Sequence, residues 1–156
     1  MLAHLRFAGP LSPKDPLERD IAELEKGDPA AAVTGFTTML HAARSNDECA
    51  RIYNKRGVAH VRLGQREAAL RDFSEALAVV PRFAPAMANI GNLLLEDGAI
   101  EDAIVHYEAA IRADESYAIA HLNLSVAYRK SGRRADAVRE LRLAHRLEGR
   151  GVFRRR

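Results

Sequence analysis

The chain of 156 residues has no tryptophan, a single cysteine and few aromatic residues, 6% of the total. One cysteine, Cys49, cannot close an intramolecular disulfide, so nothing calls for an oxidising compartment. No stretch approaches the apolar length that spans a bilayer. The start, Met1 to Pro10, carries His4 and Arg6 inside its apolar run and does not read as a secretory signal, so the expected location is cytoplasmic. Strand signatures are missing too, because no stretch alternates cleanly between apolar and polar residues. The histidines His4, His41, His60, His106, His121 and His145 make no HExxH, and no Cys/His cluster has metal spacing. No serine or cysteine sits in a local nucleophile signature with His and Asp. The glycines are isolated and form no phosphate loop. Asp97, Glu101, Asp102 and Glu108 read as acids near a helix start, where the dipole favours them, and not as a catalytic pair. The expectation is therefore no catalytic residue, no cofactor, no metal and no enzyme.

What is present is a helical rhythm. Alanine, leucine, arginine and glutamate dominate, and all are good helix formers. Gly27, Gly64, Gly98 and Gly132 follow one another at intervals of 37, 34 and 34 residues. Behind each glycine come, in phase, Ala32, Ala69, Ala103 and Ala137, then Phe36, Phe73, Tyr107 and Leu141, then Met39, Ala76, Ala110 and Ala144. Self-similarity at this period marks an array of helical hairpins, whose core lies between neighbouring repeats.

Breakers place the elements. Gly9, Pro10, Pro13 and Pro16 make residues 1–15 an irregular lead-in. Leu17, Ile21 and Leu24 begin the first stripe, and Gly27-Asp28-Pro29 is expected to end one helix, through a left-handed glycine, and start the next. The helices are expected at about 29–43, 50–63, 66–80, 84–96, 100–113, 117–130 and 134–148. Arg44 to Asp47 is a polar break three residues longer than its later counterparts. Gly57, Gly91 and Ser125 put a small residue in mid-helix, which costs about 1 kcal/mol for glycine and so implies close helix approach.

On these residues the chain resembles the tetratricopeptide repeat family. Repeats fall at about 13–46, 50–83, 84–117 and 118–151, the first of them degenerate, with Asp20 at its small position. The resemblance implies an all-α fold, a right-handed superhelical array of antiparallel helix hairpins over residues 16–150, followed by a basic tail at 151–156. It implies a protein-interaction scaffold that binds an extended peptide in a concave groove lined by the first helix of each pair. The groove positions include Arg51, Asn54, Lys55 and Arg62 in one copy, Asn89 and Asn92 in the next, and Asn123, Val126, Arg129 and Lys130 in the last. Asn89 and Asn123 lie 34 residues apart, so they are expected to form a ladder that grips a peptide main chain. Arg51, Lys55 and Arg62 give the groove a positive start, with Arg129 and Lys130 at its end, which suits an acidic partner. The carboxylate clamp of the chaperone-tail-binding subset is kept at Asn89 but not at Asn54, Val58, Ile119 or Asn123. Whether the Pro-rich start itself lies in the groove is left open.

Charge is uneven. Residues 1–49 carry −3, residues 50–117 carry −2 and residues 118–156 carry +8. A nucleic-acid-associated protein using that basic end is one alternative, and a unit that self-associates through its repeat ends is another. Arg139, Glu140, Arg142, His145, Arg146 and Glu148 are expected to give the last helix a polar outer face, so that no capping helix is required.

Overall fold

A computed structural model describes the backbone of residues 21, 22 and 24–153, with side chains as far as Gly149. The expected lead-in over 1–15, the stripe residue Leu17, Asp20 and the arginines of the basic tail lie outside the described residues. Among the described residues every regular element is a helix. Residues 21, 22 and 24–26 are helical. They are followed by α1 (Pro29–Ala42), α2 (Asn46–Arg62), α3 (Arg66–Val79), α4 (Ala84–Glu96), α5 (Ile100–Ala113), α6 (Ala118–Lys130) and α7 (Arg134–Phe153). No helix among these residues is long and apolar enough to cross a membrane.

Most boundaries fall within a residue of expectation, and the exceptions have local causes. Helix α2 starts four residues early because Ser45 caps it. The Glu48 N–H donates to Ser45 Oγ at 3.1 Å, and the Glu48 carboxylate accepts from the Arg44 N–H at 2.7 Å. This reciprocal arrangement is a capping box shifted by one residue. Helix α7 runs to Phe153, through Gly149 and Gly151. Gly64, Gly98 and Gly132 turn the chain at φ +70, +80 and +82°, the left-handed region open to glycine. Gly27 does not join them. The break there is made by Asp28, held extended before Pro29 and accepting from the Ala31 N–H at 3.1 Å.

The chain divides into two compact units, with the division between Ala86 and Met87. In the first, Ile21, Ala32, Phe36, Ile52 and Ala59 form a buried core, with Leu24, Val33, Met39, Leu40 and Ala43 packed against it. Helix α2 packs on both α1 and α3. In the second unit α6 packs on both α5 and α7. The mid-helix glycines do what their cost implied. A Cβ on Gly57 would stand 2.5 Å from the Phe73 ring, and one on Gly91 would stand 2.8 Å from the Tyr107 ring. Each large ring therefore sits against bare backbone of its partner helix. In the last hairpin the same two positions hold Ser125 and Leu141.

Candidate functional site

In the first unit the groove positions lie on α2. Asn54 and Lys55 are buried, and Arg51 is half-buried. The expected positive start is largely compensated within the chain. Lys55 Nζ meets Glu25 Oε1 at 2.8 Å, and Arg51 meets Asp47 at 3.3 Å. Arg62 is exposed, and its guanidinium donates to the Glu25 carbonyl at 3.0 Å. Beside them Arg56 makes a two-point bridge to the buried Asp72, at 2.9 and 2.6 Å, and lies 5.5 Å from the Tyr53 ring centre. That bridge to Asp72 raises the Arg56 pKa despite partial burial. A forked guanidinium held on a carboxylate fixes α2 against α3. Sequence reasoning gave Arg56 no role.

In the second unit two of the groove asparagines are joined directly. Asn89, Asn92 and Asn123 are all buried. Asn123 Nδ2 donates to Asn92 Oδ1 at 2.8 Å, so α6 is tied to α4 through Asn92, 31 residues earlier. The Tyr107 hydroxyl, on α5, donates to the same Asn92 oxygen at 2.8 Å. Burial, helped by the charge of Glu96, pushes the Tyr107 phenol well above its ordinary pKa, so it remains a donor. Three helices thus converge on one amide. Its oxygen is saturated by two donors, while its Nδ2 is buried with no hydrogen-bond partner among the described residues. The Tyr117 hydroxyl, at the start of α6, is in the same condition. A buried donor left unmatched costs about 1–3 kcal/mol. A carbonyl brought to Asn92 Nδ2 would recover part of that.

Val126 is half-buried on α6, and Arg129 and Lys130 are exposed at its end. The Tyr107–Asn92 bond is what the repeat pattern hid, because at that position the other copies carry Phe or Leu. The visible signal was the extra hydroxyl at a packing position. His121 is buried with Nδ1 2.7 Å from Glu140 and Nε2 3.2 Å from the Glu115 carbonyl. Among the described residues no group of His, Cys, Asp and Glu could hold a metal ion.

Comparison with known proteins agrees with this architecture. Residues 49–80 match a family model described as Tetratricopeptide repeat, and residues 91–132 match one described as TPR repeat. The chain is similar to the crystal structure of MamA, with 21% identity and a TM-score of 0.67 over 90% of this chain and 82% of that one. It is similar also to YrrB, described as a TPR protein with an unusual peptide-binding site, with 23% identity and a TM-score of 0.61 over 81% of this chain and 63% of that one. A third likeness is to the second TPR of Spaghetti (RPAP3), solved bound to the HSP90 peptide SRMEEVD. There the identity is 24% and the TM-score 0.60, over 65% of this chain and 89% of that one. At these identities the likeness is one of fold.

Proposed function

We propose that this tetratricopeptide repeat protein is an interaction scaffold that holds an extended segment of a partner protein across α4 and α6, with asparagine amides gripping the partner's main chain. The observation that carries the reading is the Asn92 side chain, whose oxygen is fixed by Tyr107 and Asn123 while its N–H groups have no partner among the described residues. An amide held by its oxygen is pre-oriented as a donor, and the commonest buried acceptor a protein partner offers is a backbone carbonyl. Such a grip is indifferent to side-chain identity. Selectivity then falls to the flanking charge, where the exposed Arg129 and Lys130 favour a partner with acidic residues beyond the gripped stretch. Two of the structurally similar proteins are described with peptides or a peptide-binding site, and this supports the reading.

Asn92 is fully buried, so an incoming segment reaches it only by displacing the groups that now cover it. Binding is therefore coupled to a local rearrangement, which slows association below the rate of rigid docking. The test uses the partner segment recovered by affinity capture from the native source and then synthesised. Asn92→Ala with Tyr107→Phe removes the gripping amide without stranding the phenol hydroxyl. Calorimetry should show binding of the segment weakened by about 1–3 kcal/mol, with helicity unchanged. Equal affinity for the variant and the parent chain would refute the grip.

A further inference from the structure

The end of the last hairpin carries an open pocket of about 280 Å³ lined by Ser125, Arg129, Arg134, Ala137, Val138 and Leu141. Each of these residues stands 34 positions after a residue of the preceding hairpin: Gly91, Leu95, Ile100, Ala103, Ile104 and Tyr107. In that preceding hairpin the face is covered, since α6 packs along α5. The effect on burial is large. Ile104 is 4% exposed and Tyr107 0%, whereas their counterparts Val138 and Leu141 are 46% and 37% exposed. The last hairpin has therefore kept the apolar centre of a repeat-stacking face. The expected polar outer surface of α7 does not extend over it.

Two positions of the face have changed character. Leu95 and Ile100 become Arg129 and Arg134, both exposed and without an ion pair among the described residues. An apolar centre with arginine at its edge is the composition of a docking surface and not of a solvated cap. The internal precedent says what shape fits, for in this fold that face is covered by a helix. The charge says which helix. Two copies of this face would set Arg129 and Arg134 of one against the same two cations of the other, which repel. We propose that the α6–α7 end face receives an amphipathic helix of a partner protein, with small and apolar residues along its contact stripe and acidic residues opposite Arg129 and Arg134.

The test uses the full chain and two synthetic stapled helices that share one leucine–alanine stripe, one flanked by glutamate and the other by lysine. Fluorescence anisotropy at low salt should give the glutamate-flanked helix an affinity about tenfold or more above its lysine twin. Val138→Lys with Leu141→Lys, both at exposed positions, should weaken that binding about tenfold or more while circular dichroism stays unchanged. Arg129→Glu with Arg134→Glu should reverse the preference between the two helices. The Asn92→Ala/Tyr107→Phe variant should bind the helix as the parent chain does, which separates this face from the peptide grip. Equal binding of the two helices, or binding that survives Val138→Lys/Leu141→Lys, would overturn the proposal. So would sedimentation showing that the chain alone forms dimers which this double variant dissolves, because the occupant would then be a second copy.

Discussion

Replacing Gly57 by alanine should destabilise the first unit, against the direction that helix propensity gives. A mid-helix glycine costs about 1 kcal/mol relative to alanine, so on propensity alone the change stabilises. Packing opposes it. The new Cβ would stand 2.5 Å from Phe73 Cε1, 2.8 Å from Cδ1 and 3.1 Å from Cζ. Carbon atoms rest at about 3.5–4.0 Å, so the ring must withdraw by about 1 Å. Phe73 is fully buried, as are Ala69 and Ala76 on the same helix, and leaves little room for that movement. Overpacking of this kind costs about 1–3 kcal/mol, and a clash with three ring atoms at once lies toward the upper end. Subtracting the propensity gain leaves a net loss of about 1–2 kcal/mol.

Urea unfolding followed by far-ultraviolet circular dichroism measures this loss. The comparison variant is Gly149→Ala, also within a helix, where an added Cβ meets nothing within 4 Å. It should stabilise by up to about 1 kcal/mol. Adding Phe73→Leu to Gly57→Ala reproduces the balance of the last hairpin, where Ser125 faces Leu141. The double variant should be less destabilised than the sum of the two single changes, by about 0.5–3 kcal/mol. If Gly57→Ala raises the midpoint as Gly149→Ala does, close approach is not the reason for glycine, and the packing argument for the repeat fails.

Two further outcomes are expected. Asp72→Ala leaves the Arg56 guanidinium beside a pocket with no carboxylate, after loss of contacts at 2.6 and 2.9 Å, and should cost about 3 kcal/mol in the same urea assay; a loss within error of zero would show that the bridge is only a surface pair. His106 is half-buried, and that desolvation holds its pKa below the usual 6.5, against a smaller opposing pull from Asp102. The folded state then resists a proton that the unfolded chain accepts, so stability is full above the ordinary histidine pKa and declines as pH falls through it toward the lower folded value. His106→Asn should flatten that part of the stability–pH curve, and an unchanged slope would assign it to other groups.

The packing register was legible in the sequence because it is a property of shape. The alanines and large residues that recur behind each glycine describe which surfaces meet, and helix spacing converts that into hairpins without any knowledge of partners. The cap of α2 was missed: the Ser45–Glu48 spacing carries it, but the polar run around it reads as a plain break, and the helix is expected to begin only at about residue 50. Hydrogen-bond partners were harder. The repeat interval makes Asn123 the equivalent of Asn89 and gives no sign that it donates to Asn92, three residues further along α4. Equivalence in sequence marks the same place in two repeats, but a side chain bonds to whatever lies across from it. The compensation of Lys55 by Glu25 was hidden for the same reason, since the two are 30 residues apart and share no motif.

The polarity of α7 shows how a correct composition can still mislead about a surface. Arg139, Arg142 and Arg146 follow one another at intervals of three and four and so share one stripe of the helix. Ala137, Leu141 and Ala144 follow at four and three on another, with Val138 beside them. Counting charged residues along the helix averages the two stripes and predicts a solvated end. The stripes answer to different demands. The arginine stripe keeps its side of the helix in water. Ala137 and Ala144 of the apolar stripe are buried, whereas Val138 and Leu141, which lie between them along the helix, are exposed. Solubility of a terminal repeat requires the exposed part to be polar. It remains apolar beside two arginines without an ion pair among the described residues, and a face of that composition suits contact more than exposure. The exposed stretch of that stripe, and not the charge summed over the helix, decides what the last hairpin can receive.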